Sequence, residues 1–286
     1  MPNAILDGIE TNYEVIGDGP PLLMYSPGGF DASLDKWSDI GIYKRIRLLE
    51  HLPKQFKCIV FDRRETGTSG GRIERIDWID YVEQGRLLLD HLGVEKAHVM
   101  GGCMGCCPVT LFAVRHPRRV KSMVLYWPVG GAQFRIRATE RFAKHLAMVE
   151  SDGLAGVVDL ARNTDAGFGK DPRVGLWAPI IRRDPRFAAA YAQFSVNRYK
   201  LIIAAMARKL VDRDTAPGAE PEDMLQLTMP ALIVPGRDIA HATSAARYLE
   251  ECLPAAEYMD LLPDEQSEDN MPRIVGEFLT RVDERG

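Results

Sequence analysis

Short apolar runs alternate with helical patterns along most of the chain. Each run leads into a turn, often rich in glycine, and the continuous apolar character is typical of strands buried on both faces. A hairpin-like alternation at residues 3–17 precedes them. Together these patterns predict a mostly parallel eight-stranded sheet with helices on both faces. The runs are LLMYS (22–26), CIVFD (58–62), AHVMG (97–101), SMVLYW (122–127), ALIVPG (231–236) and EYMDLL (257–262).

The segment at 130–227 breaks this rhythm, because it has helical spacing and scattered aromatic residues but no clear strand. It predicts a helical cap inserted after the sixth strand. Ligands of open α/β sheets bind outside the carboxyl ends of the strands, so the cap would roof the site. The predicted division is a core at 1–129, the cap at 130–227, and the rest of the core at 228–286.

Composition narrows the class of partner. Of the 286 residues, 46% are hydrophobic and 27% charged, which is typical of a soluble globular protein. The net charge is −4 and there is no long basic run, which argues against nucleic acid and anionic membranes as partners. The first residues do not resemble a secretory signal, and five cysteines, an odd number, favour a reducing cytoplasm. We expect a small-molecule substrate and leave a homo-oligomer open.

The stretch GGCMGCC at 101–107 allows two kinds of chemistry. Cys103 and Cys106 could form a redox pair or half a metal site, or Cys103 could be a nucleophile on a strand-to-helix turn. The glycines around Cys103, after an apolar strand and before an apolar helix, favour the nucleophile. The remaining cysteines lack metal-ligand spacing, so no metal is expected. A regulatory Cys103–Cys106 disulfide remains a secondary hypothesis, and Cys106 and Cys107 are expected to be buried thiols.

The whole chain resembles the α/β-hydrolase fold family. Besides the glycine-bracketed turn, YSPGGF (25–30) is similar to the family's oxyanion loop. The stretch FDRRETGTSGG (61–71) looks like its Asp-Arg-x-Gly-x-Gly-x-Ser turn, and RHPRRV (115–120) like its helix-to-strand link. PGRDIAH (235–241) stands where the family's acid follows the seventh strand.

The resemblance implies a catalytic triad and an oxyanion hole, with no organic cofactor. By position Cys103 is the nucleophile and Asp238 the acid. The backbone N–H groups of Met104 and of Gly29 or Phe30 would form the oxyanion hole. A thiol at a helix start ionises more easily than a serine hydroxyl, so it needs less help from a base.

The histidine base is missing from its usual place, because the loop at 261–272 (LLPDEQSEDNMP) holds none. His241, three residues after Asp238, is either a relocated base or an ordinary residue at a helix start. Glu65 is either a carboxylate partner of the thiol or a surface turn residue. His145 lies in the cap and is a third candidate. The other four histidines are expected to be structural or solvated.

A site without a well-placed proton donor favours leaving groups that need little protonation. We therefore expect a cysteine hydrolase or acyltransferase acting on a small thioester, lactone or activated ester through an acyl-enzyme. The alternative is a catalytically silent or repurposed fold that binds a small molecule or performs cofactor-free lyase chemistry. Trp127, at the end of the sixth predicted strand (SMVLYW, 122–127), is expected either at the pocket mouth or in the core under the cap.

Overall fold

The computed structural model describes residues 2–285, and its centre is one eight-stranded sheet, as predicted. The strand order is β1-β2-β4-β3-β5-β6-β7-β8. The strands from β3 onward pair in parallel, whereas β1 and β2 form the predicted antiparallel hairpin and β2 is antiparallel to β4. The bounds are β1 Asn3–Leu6, β2 Ile9–Ile16, β3 Pro21–Tyr25, β4 Lys57–Phe61, β5 Ala97–Gly102, β6 Val120–Tyr126, β7 Ala231–Val234 and β8 Ala256–Tyr258.

Helices cover both faces of the sheet, and two separate apolar clusters fill the space between the layers. On one face pack α4, α5 and α11, and on the other α1, α2, α3 and α12. The bounds are α1 Lys36–Asp39, α2 Gly41–Ile46, α3 Leu48–His51, α4 Trp78–His91, α5 Cys106–Arg115, α6 Ala132–Arg162, α7 Ala178–Arg183, α8 Pro185–Ala192, α9 Val196–Leu210, α10 Pro221–Met224, α11 Thr243–Cys252 and α12 Met271–Asp283.

The helices α6 to α9 are inserted between β6 and β7 and share a third apolar cluster. Their long first helix, α6, is interrupted at Gly153, which has a positive φ of 67°. The same cluster includes Phe30 after β3, Met104 in the turn after β5 and Cys107 in the first turn of α5. The inserted helices therefore cover the edge of the sheet where ligands bind in this kind of fold. The domain boundaries at 130 and 227 stay a prediction.

Most strand boundaries differ from the predicted runs by one or two residues, and two of the differences bear on the fold and the site. The last strand is Ala256–Tyr258, so most of the apolar run at 257–262 lies beyond it. The sixth strand ends at Tyr126, and Trp127 follows it with a positive φ of 52°. Within residues 2–285, no helix is both long enough and apolar enough to cross a membrane.

Candidate active site

Cys103 lies on the sharp turn that the sequence predicted. Strand β5 ends at Gly102, Cys103 begins a short 3-10 turn, and α5 starts at Cys106. Cys103 has a φ of 55°, a conformation that is strained for a residue with a Cβ and typical of functional sites. A Cβ on Gly101 would collide with the carbonyl oxygen of Gly105, so the close passage of strand and helix requires glycine there.

Cys103 is the one cysteine of the described chain that keeps part of its surface exposed, since the other four are buried. All five are free thiols. The thiol of Cys106 donates to the carbonyl oxygen of Gly101 at 3.2 Å, and burial holds its pKa well above the usual value. The amides that face the Cys103 sulfur belong to Met104 and Gly28, and Gly29 and Phe30 follow in the next short turn.

Asp238 and His241 form a hydrogen-bonded pair on the loop after β7. Both carboxylate oxygens lie close to His241 Nδ1, at 2.8 and 2.9 Å. The same carboxylate accepts from the backbone N–H groups of Ala240 and His241, which fixes the turn. A carboxylate only accepts, so Nδ1 carries a proton and Nε2 is left for another partner. Within residues 2–285, Nε2 is buried and has no hydrogen-bond partner of good geometry, although it is close enough to the Cys103 thiol for their charges to interact.

The electrostatics of the three side chains support a thiolate–imidazolium pair. Burial opposes ionisation of Cys103, but the charge and hydrogen bond of His241 outweigh it and lower the pKa of the thiol. Burial likewise opposes a charge on His241, yet Cys103 and Asp238 raise its pKa to about 10. The hydrogen bond from His241 lowers the pKa of Asp238 to about 2. Since each charge stabilises the next, the site favours a thiolate at Cys103 beside a protonated imidazole at His241.

Trp127 packs against the imidazole, and Gln266 in turn holds Trp127. The ring of Trp127 packs on His241 with a centroid distance of 5.4 Å, and its Nε1 donates to Gln266 Oε1 at 2.8 Å. Gln266 is fully buried, accepts also from the Tyr126 hydroxyl, and donates to the carbonyl oxygen of Pro235. Gln266 comes from the very loop that lacks a histidine. Sequence reasoning missed it, because the loop has two amide residues, Gln266 and Asn270, and no motif distinguishes either of them.

The other two candidates lie elsewhere. Glu65 is not a surface turn residue, because it is 2% exposed and accepts from Arg64 Nε at 3.0 Å. Burial raises its pKa to about 7, against the opposing charge of Arg64. His145 is buried among the inserted helices, where it contacts the Tyr199 hydroxyl at 2.7 Å, and burial lowers its pKa to about 4. Their contacts tie Glu65 to the turn after β4 and His145 to the core of the insertion.

A small cavity opens beside the acid. It has a volume of about 230 Å³ and is lined by side chains of α6 and of the loop after β7. Two arginines, one carboxylate and apolar side chains line it together, whereas Cys103 and His241 are not part of its lining. The lining residues are Phe134, Arg137, Arg141, Asp238, Ile239 and Ala240.

Comparisons with known proteins agree with this architecture. A family model described as alpha/beta hydrolase fold matches residues 21–147. The dihydrolipoyllysine-residue acetyltransferase component of the acetoin cleaving system of Cupriavidus necator is 29% identical over 127 residues, which are 44% of this chain and 32% of that protein. This chain thus matches only about a third of that relative's length.

Two solved structures cover nearly the whole chain. The meta-cleavage product hydrolase of Pseudomonas fluorescens has a TM-score of 0.61 at 19% identity, with 98% of both chains covered. The enol-lactonase of Burkholderia xenovorans has a TM-score of 0.60 at 18% identity, with 99% of this chain and 98% of that chain covered. At these identities the likeness concerns the fold and leaves substrates open.

Proposed function

Because the chain has the α/β-hydrolase fold, we propose that it is a hydrolase or acyltransferase with Cys103 as nucleophile, acting on a small thioester, lactone or activated ester. The observation that carries the proposal is His241, whose Nε2 lies beside the Cys103 sulfur while its Nδ1 bonds to Asp238. This arrangement supplies an ionised nucleophile, a protonated acid and an orienting carboxylate.

The proposed reaction has two halves. The Cys103 thiolate attacks the carbonyl carbon, and the displaced electron pair moves to the oxygen, which accepts from the N–H of Met104 and from an N–H of the loop at 28–30. Gly28 joins the predicted donors Gly29 and Phe30 as a candidate in that loop because its amide faces the sulfur. When the carbonyl re-forms, the leaving group departs with the proton from His241 Nε2, and an acyl-Cys103 thioester remains.

The second half releases the acyl group. Neutral His241 takes a proton from water or from an acceptor hydroxyl as that oxygen attacks the thioester carbon. The tetrahedral intermediate then expels the Cys103 thiolate, which returns the site to its starting charges. Water makes the reaction a hydrolysis, and a hydroxyl acceptor makes it an acyl transfer. A relative named as an acetyltransferase and a structural neighbour named as an enol-lactonase are compatible with either outcome.

The alternative of a silent or redox-active fold has weaker support. Backbone strain costs stability, so a strained cysteine beside a carboxylate-bound imidazole is not expected in a site that has lost its activity. For disulfide formation with Cys103, the Cys106 thiol would have to leave a buried hydrogen bond, and its raised pKa disfavours the reactive thiolate. We also keep, as proposals, a cytoplasmic location and a small-molecule substrate, without nucleic acid, membrane or cofactor.

Trapping the acyl-enzyme tests the proposal directly. Purified protein mixed with p-nitrophenyl acetate and quenched within one turnover should gain the mass of one acetyl group. Peptide mapping should place that group on Cys103. An adduct on another residue, or p-nitrophenol release without any adduct, would contradict a covalent mechanism through Cys103.

The pH dependence of turnover should follow the charged pair. Activity is expected to rise as pH passes the lowered pKa of Cys103, below that of free cysteine, because the thiolate forms there. It should fall as pH passes about 10, where His241 loses the proton that the leaving group needs. A rate profile of kcat/KM measured with a thioester would check both limbs. A single rise centred at or above the pKa of free cysteine would argue against the ion pair.

A further inference from the structure

Arg63 is a buried cation without a carboxylate partner. It follows β4 and is 4% exposed, and no carboxylate oxygen within residues 2–285 lies within 4.0 Å of its guanidinium nitrogens. Its neighbour Arg64, also buried, is paired with both Glu65 and Glu74. Buried charges are normally paired because the loss of hydration costs several kcal/mol, roughly, per ion. An unpaired guanidinium in the interior therefore calls for an explanation.

The contacts of Arg63 point to the loop after β3. Its Nη2 donates to the carbonyl oxygen of Gly29 at 2.9 Å. Its Cζ lies 4.3 Å from the centre of the Tyr81 ring, which offers a π face to the charge. The remaining donors, Nε and Nη1, are covered and have no acceptor in the described part of the chain. One carbonyl and one ring thus contact the guanidinium directly, whereas the buried carboxyls of Asp31 and Glu65 interact with its charge only from beyond 4.0 Å.

This loop is the one that we propose for oxyanion binding. Gly28, whose amide faces the Cys103 sulfur, directly precedes Gly29, and the Gly29 carbonyl shares its peptide unit with the N–H of Phe30. Arg63 also acts on Cys107, one helical turn after Cys103: burial raises the pKa of that thiol, and Arg63 opposes the rise. The unpaired charge is therefore close to the turn that bears the nucleophile.

We propose that Arg63 is a positioning residue for the oxyanion loop: its bond to Gly29 holds the Gly29–Phe30 peptide, and with it the loop that carries the Gly28 amide, and its charge, which has no carboxylate in direct contact, favours the negative oxygen of the tetrahedral intermediate. The inference rests on the proposed acyl chemistry. Fixed donors and charges that need no reorganisation contribute most where charge develops during the reaction. The role of Arg63 should consequently be confined to steps that place negative charge on a carbonyl oxygen.

Two reagents separate this role from a general one. Acylation of Cys103 by p-nitrophenyl acetate builds an oxyanion, whereas alkylation by iodoacetamide displaces iodide at a saturated carbon and builds none. In Arg63→Met the acylation rate should fall by about 10- to 100-fold. The alkylation rate should stay within about twofold, because His241 and the backbone amides account for the thiolate. Stopped-flow bursts and mass spectrometry would supply the two rates.

Two further variants complete the test. Arg63→Lys keeps the charge but not the planar fork, and should lose acylation rate selectively but less than Arg63→Met. Arg183→Met is the matched control, because Arg183 also donates to backbone carbonyls, those of Gly67 and Ser69 in the turn after β4. It should leave both rates unchanged.

The outcomes separate cleanly. Equal losses of acylation and alkylation in Arg63→Met, or no loss of either, would overturn the proposal. Should that variant not fold, Arg63→Lys decides, since only a selective loss of acylation agrees with positioning of the loop. Formation of acyl-Cys103 in the wild-type protein tests the proposed function separately, so a failure there is not confused with a failure of the role of Arg63.

Discussion

Replacing Cys103 with alanine should lower kcat/KM for a chromogenic thioester or aryl ester by at least about 10⁴-fold, because removing a nucleophile leaves only binding and oxyanion stabilisation. The fold should survive, since alanine is smaller than cysteine and the surrounding glycines are unchanged. Steady-state turnover, together with a thermal unfolding curve for each protein, would check both expectations.

The neighbouring cysteine provides the control for this substitution. Cys106→Ala removes a buried thiol that bonds to the Gly101 carbonyl, so a loss of stability of about 1 kcal/mol is expected. Activity should stay within a few-fold of wild type. A Cys103→Ala protein that still turns over the ester would end the proposal, and a Cys106→Ala protein as inactive as Cys103→Ala would revive the redox hypothesis.

Much of the fold could be predicted because its strands are buried on both faces. Strand β5 shows why: all six residues are buried between two helical layers, so the sequence there is continuously apolar. The turn at Cys103 was equally predictable. A side chain at position 101 would collide with the backbone, so only glycine fits there. Steric constraints and burial restrict the residue types allowed at the positions concerned, so they can be recognised from a single sequence.

The details of the site were less predictable, because they depend on contacts between distant segments. Whether His241 faces Cys103 is decided by the positions of β5, β6 and β7, which bring residues 103 and 241 together. The burial of Glu65 depends in the same way on Gly71 and Ile180, one of them from the inserted helices. Gln266 carried no motif at all, since its role lies in the partners that surround its amide.

His241 is the residue on which the base of the proposed mechanism depends, and His241→Ala should lower kcat/KM by about 10³-fold, within the range known for general acid–base groups. Loss of the imidazolium should also raise the pKa of Cys103. Burial disfavours the thiolate, and His241 is the group that outweighs this effect. Iodoacetamide should therefore alkylate Cys103 at least about tenfold more slowly in the variant at neutral pH.

Comparison with two other substitutions shows whether the relocated histidine is the base. His116→Ala is the matched control, because its half-buried imidazole contacts Glu83 at 2.8 Å and belongs to the link after α5. Turnover and alkylation should be unaffected there. Glu65→Gln tests the other carboxylate candidate, whose contacts lie with Arg64. If Glu65→Gln abolished turnover while His241→Ala kept both its activity and a fast-reacting thiol, the base would be the carboxylate after β4, and the imidazole beside Cys103 would have only a structural role.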